Sequence, residues 1–113
     1  MSAAIRLSLA ITVACVGLFL AGHAAAAPRK PAKQAVTMEA VAFQPGDLTV
    51  HVGDTVLWTN KDPFPHTVTA KSGAFDSKTL SAGKTWMYRA QKKGDYPYVC
   101  TLHPTMNGTL HVR

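Results

Sequence analysis

Cysteine is nearly missing from this chain. Of its 113 residues only Cys15 and Cys100 are cysteines, so a disulfide framework cannot be what holds the fold together. Acidic residues are also scarce, six Asp and Glu against 12 Lys and Arg. The excess cations are scattered (Arg29, Lys30, Lys33, Lys61, Lys71, Lys78, Lys84, Arg89, Lys92, Lys93) and lack the aromatic interleaving of a nucleic-acid platform. What remains for the positive charge is solubility and attraction to acidic partners, with no nucleic acid involved. No stretch sustains a helical period, and no internal repeat is visible.

Long apolar runs are missing too, with one exception. Arg6 is followed by an apolar run from about Leu7 to Ala21 and then a string of alanines. This is the layout of a secretory signal peptide, expected over residues 1–26 and removed on export to the periplasm. The run is short for a membrane span and no second one follows. A lipid-anchor reading at Cys15 is weaker, because Thr12-Val13-Ala14 precede it where such sites usually begin with Leu. Loss of residues 1–26 removes Arg6 and Cys15 and leaves 11 Lys and Arg, six acids and one thiol, Cys100. A lone cysteine in an oxidising compartment is either an inert buried group or one that something protects and uses.

Residues 27–35 read as a short, basic, proline-bearing leader. From Val36 the apolar pattern alternates. Leu48, Val50 and Val52 share one face, and Val56 and Trp58 share another after the Gly53-Asp54 turn. Similar strands are expected at 36–43, 66–70, 84–90, 95–100 and 107–112, separated by turn residues such as Pro45-Gly46, Asp62-Pro63 and Lys93-Gly94. The class is therefore all-β, a single antiparallel sandwich of about seven strands over residues 36–113. So small a domain has a thin stability margin, and a bound metal is the obvious staple.

The stretch 100-CTLHPTM-106 places a thiol, an imidazole and a thioether at intervals of three. In 58-WTNKDPFPHTVTA-70, His66 follows a stiff Pro63-Phe64-Pro65 turn. A thiolate, two imidazoles and a distant thioether form the donor set of a blue-copper electron-transfer centre. Structural zinc prefers four strong Cys or His ligands. A Cys-His nucleophile would need an orienting carboxylate or amide and an oxyanion hole, which no motif supplies.

With F-x-P-x-x-L-T-V at 43–50, G-D-T-V-L-W-T-N at 53–60, P-H-T-V at 65–68 and Y-x-Y-V-C-T-L-H-P-T-M-N-G at 96–108, the chain resembles the cupredoxins of the plastocyanin and azurin superfamily. In its short Cys-x2-His-x2-Met spacing it is nearest to the amicyanins. The resemblance implies a Greek-key sandwich, a type 1 copper domain at 36–113 and one Cu ion cycling between Cu(I) and Cu(II). It makes His66, Cys100 and His103 the trigonal ligands and Met106 the long axial one.

It further implies a monomeric one-electron carrier, not an enzyme, docking near His103 with redox proteins. The donor would be one such as a dehydrogenase, and the acceptor one such as a c-type cytochrome. Two positions depart from the amicyanin pattern. Thr67 stands where Asn is common, and its side chain is expected to tie onto the segment around Thr101. Leu102 stands where Pro is common, restoring an N–H that could point at the Cys100 sulfur.

A copper carrier or chaperone of the same fold is the alternative function, though no exposed Met- or His-rich run supports it. A copper enzyme would need further copper sites and more domains. His51 and His111 read as ordinary strand histidines. Met38 and Met87 read as core filler, and Trp58, Trp86, Phe43 and Phe75 as core or near-core aromatics. Lys92 and Lys93 are expected to rim the docking point at His103.

Overall fold

The computed structural model describes residues 14–17, 22 and 28–113. The expected signal peptide, 1–26, falls almost entirely outside them. Eight strands follow one another: β1 Lys33–Glu39, β2 Ala42–Gln44, β3 Asp47–Val50, β4 Thr55–Asn60, β5 Thr69–Ala70, β6 Thr85–Arg89, β7 Gly94–Cys100 and β8 His103–Val112. They form two four-stranded sheets, ordered β2-β1-β4-β6 and β3-β8-β7-β5. Among the described residues no helix is long and apolar enough to cross a membrane.

Alternation decides which side chains turn inward. Along β4, Val56, Trp58 and Asn60 are buried while Thr55, Leu57 and Thr59 are half-buried. Along β7, Tyr98 and Cys100 point to the core as the period-two reading requires. The core joins Val36, Met38, Val56 and Trp58 of one sheet to Val50, Tyr98, Leu110 and Val112 of the other. Trp58 stands edge-on to Tyr98 at 5.7 Å, and Phe43 does so at 4.7 Å. A β-carbon on Gly108 would come within 2.7 Å of both the Tyr98 ring and the Gly46 carbonyl, so the close strand approach there needs glycine.

Several details differ from the sequence expectation. The sheets are mixed, since β1 runs parallel to β4 and β3 parallel to β8. The stretch read as one strand over 36–43 is a hairpin, because Ala40 and Val41 both adopt positive φ (53° and 55°). No Gly or Asn marks that turn. Its N–H groups are instead taken up by Asp62 at 2.8 and 3.0 Å. The strand also begins earlier, at Lys33, because the preceding segment is fastened down. Arg29 and the Ala32 N–H both donate to the buried carboxylate of Asp54, each at 2.8 Å. Val52 lies beyond the end of β3 and is exposed, and Met87 is 57% exposed on the outer face of the edge strand β6 instead of filling the core. Met38, Phe43, Phe75 and Trp58 are buried as expected.

Candidate metal centre

The site is built where β7 ends and β8 begins. Cys100 pairs with His103, so only Thr101 and Leu102 separate the two strands. The last ladder thus starts at His103, not at Asn107 as expected. His66 arrives from the other sheet on the connection after β4. Buried Asn60 shapes that connection: its side-chain amide donates to the carbonyls of Phe64 (2.9 Å) and Leu80 (3.0 Å), and its amide oxygen accepts from the Asp62 N–H. His66 itself pairs with Leu80 through both backbone groups.

The two imidazoles and the thiol converge. Nδ1 of His66 lies 3.6 Å from Cys100 Sγ, and Nδ1 of His103 lies 3.7 Å from it. One donor atom from each residue falls within 4.8 Å of the other two. A nitrogen at about 2.0 Å and a sulfur at about 2.3 Å from one ion, roughly 120° apart, would stand about 3.7 Å from each other. The observed spacing therefore fits a trigonal set around a single first-row metal. Met106, three residues past His103, is buried at the same end of the molecule. Nitrogen, thiolate and thioether donors together suit copper better than zinc.

Burial is graded across the cluster. His66 and Cys100 are wholly buried and Met106 nearly so, whereas His103 is half-buried. Around His103 the surface carries Pro63, Phe64, Pro65, Leu102 and Pro104, all exposed. Phe64 packs its ring 5.4 Å from that of His66 and 5.5 Å from that of His103.

Hydrogen bonds outside the donor set hold it in place. The Thr67 N–H donates to Cys100 Sγ at 3.3 Å. Its hydroxyl accepts from the Thr101 N–H at 2.9 Å and meets the Thr101 hydroxyl at 3.2 Å, which is the expected tie between the two ligand-bearing segments. The expected Leu102 contact is not among the sulfur's hydrogen bonds. Thr67 supplies the backbone donor, and Leu102 is half-exposed at the surface.

Asp62 is a turn residue by its sequence context, yet it has a larger part. Its carboxylate meets Nε2 of His66 at 2.7 Å, so Nε2 carries the proton and Nδ1 is left to act as ligand. Burial alone would raise the Asp62 carboxyl, but hydrogen bonds from His66, Val41 and Ala40 outweigh it and hold it below the usual carboxylate range. The signal was present as Asp four residues before His across a Pro-Phe-Pro turn.

Lys92 and Lys93 do not rim His103. They precede β7, whose far end carries Cys100, so the length of the strand lies between them and the site.

The family model for the cupredoxin-like domain matches residues 9–112. This chain belongs to the cupredoxin family. It is 32% identical to amicyanin-alpha of Methylorubrum extorquens over 82 residues, covering 68% of this chain and 69% of the relative. It is 30% identical to the chloroplastic plastocyanin of Tetradesmus obliquus over 109 residues, or 87% and 73% of the two chains. A solved amicyanin variant in its Cu(I) form superposes with a TM-score of 0.68 at 27% identity, over 72% of this chain and 82% of the other. The cupredoxin's donor geometry thus agrees with the copper cofactor of its family.

Proposed function

We propose that this cupredoxin is an exported one-electron carrier, binding one copper through Nδ1 of His66, Sγ of Cys100, Nδ1 of His103 and Sδ of Met106. The convergence of two Nδ1 atoms on one buried thiol at 3.6 and 3.7 Å carries the reading. Copper supplies the one-electron couple when bound. The chain holds the donors on the ends of rigid strands, with Thr67 linking the two segments, so they keep their places whichever oxidation state is present. His66, Cys100 and Met106 exclude water by burial, and half-buried His103 gives the outside its shortest approach.

The exposed Pro63-Phe64-Pro65 turn with Leu102 and Pro104 forms a small apolar face on which a redox protein docks, a dehydrogenase as donor or a c-type cytochrome as acceptor. Residues 1–26 direct the chain to the periplasm, where the folded domain works as a monomer without substrate chemistry. Adding Cu(II) to purified protein should produce an intense sulfur-to-copper charge-transfer band that bleaches on reduction and returns on reoxidation. Cys100→Ser should stay pale. A colourless Cu(II)-loaded protein, or colour retained without the thiol, would overturn the assignment.

A further inference from the structure

The strand ladders sort the charges by end. Backbone bonds from Thr55 to Ala32, Gly53 to Ala90 and Val52 to Arg113 gather four segments at the end remote from the ligands. The pairings Lys33 with Thr55, Thr55 with Arg89 and Gly94 with Val112 close the same end. It carries Arg29, Lys30, Lys33, Arg89, Lys92, Lys93 and Arg113 against only Asp54 and Asp95. Asp54 is taken by Arg29 and Asp95 by Arg113. Lys30, Lys33, Arg89, Lys92 and Lys93 are exposed and form no ion pair among the described residues. The ligand-bearing end balances Lys61, Lys78 and Lys84 against Glu39, Asp62 and Asp76, and Lys71 offsets Asp47 between the two. Residues 28–113 hold 11 Lys and Arg against six acids, and all of that surplus of five therefore sits at one end.

We propose that this end is a docking surface for anionic lipid, which turns the His103 face away from the bilayer toward soluble partners. Five exposed cations drawn from separate segments frame no pocket. They suit a sheet of mobile, evenly spread negative charge better than the fixed array of one protein partner.

The protein recovered from an exporting cell should cosediment at low ionic strength with vesicles of phosphatidylglycerol and phosphatidylcholine, but not with phosphatidylcholine alone. Each lost charge should weaken binding about fivefold, so Lys92→Gln with Lys93→Gln should weaken it by about 25-fold. Lys61→Gln with Lys84→Gln, at the other end, should leave it unchanged. Circular dichroism of each pair checks the fold. Metal-free and copper-loaded protein should bind alike, so the outcome is independent of the electron-carrier reading. Absence of vesicle binding at low salt, equal loss from both pairs, or capture by an acidic polypeptide without vesicle binding would each overturn the proposal.

Discussion

The carboxylate of Asp62 lies 2.7 Å from Nε2 of His66, on the side of the ring opposite the thiol of Cys100. A buried negative charge is thereby fixed one imidazole width from the metal position. At an effective dielectric of about 20 and a separation of roughly 6–7 Å, its interaction with one unit of charge is about 2.5 kcal/mol.

That charge favours the more oxidised state. Asp62→Asn keeps an oxygen for the Nε2 proton and removes the charge. The reduction potential should rise by on the order of 100 mV, taking 59 mV per tenfold change for one electron. Cyclic voltammetry of the variant gives the value directly, and an unchanged or lowered potential contradicts the electrostatic role.

Thr67 joins two ligand-bearing segments through one hydroxyl. Thr67→Val keeps the side-chain shape and the N–H aimed at sulfur, but loses both contacts to Thr101. Supporting bonds of this kind are worth about 10-fold to 100-fold in metal affinity. Competition with a chelator should place the variant in that range, and wild-type retention would show the tie to be dispensable.

Asp54 sets the acid limit of the fold. Hydrogen bonds from Arg29, then from the Ala32 and His51 N–H groups, hold its carboxyl far below the usual carboxylate range despite burial. A depressed carboxyl stabilises the fold in full above the unfolded-state value. That contribution declines as pH falls below it toward the folded-state value. Urea midpoints of the metal-free protein should therefore drop between pH 5 and pH 3, to which Asp62, Asp76 and Asp95, also held low, contribute. Asp54→Asn should be less stable at pH 7 and show a shallower drop. An equally steep profile would remove Asp54 from the explanation.

Gly108 admits no side chain without moving the Tyr98 ring or the Gly46 carbonyl. Gly108→Ala should cost about 1–3 kcal/mol by overpacking, measured by denaturant unfolding. A neutral result would mean that β3 and β8 separate there more easily than their parallel pairing suggests.

The sandwich and the closeness of Cys100, His103 and Met106 were legible because both depend on short-range pattern. Alternation placed Val56, Trp58, Tyr98 and Cys100 inward, and the close spacing of Cys100, His103 and Met106 needs only a tight connection to bring them together. What escaped the sequence depends on contacts between distant segments. The Ala40–Val41 turn has no turn residue of its own and relies on a carboxylate more than twenty positions away. Arg29 looked like part of a solvated leader until Asp54 gave it a partner. Lys92 and Lys93 looked like a rim for His103 because composition records a charge without recording the end of the strand on which it falls.

The two amides of the Ala40–Val41 turn end on the same carboxylate as the His66 ring. Their protons are thus reporters of that ring's anchorage, placed in a hairpin that itself contributes nothing to the metal centre. Should the imidazole swing away and the carboxylate reorient, both amides lose their acceptor and exchange with solvent faster. A loosening of the centre would then be readable by hydrogen exchange in a colourless protein, from a part of the chain with no ligand in it.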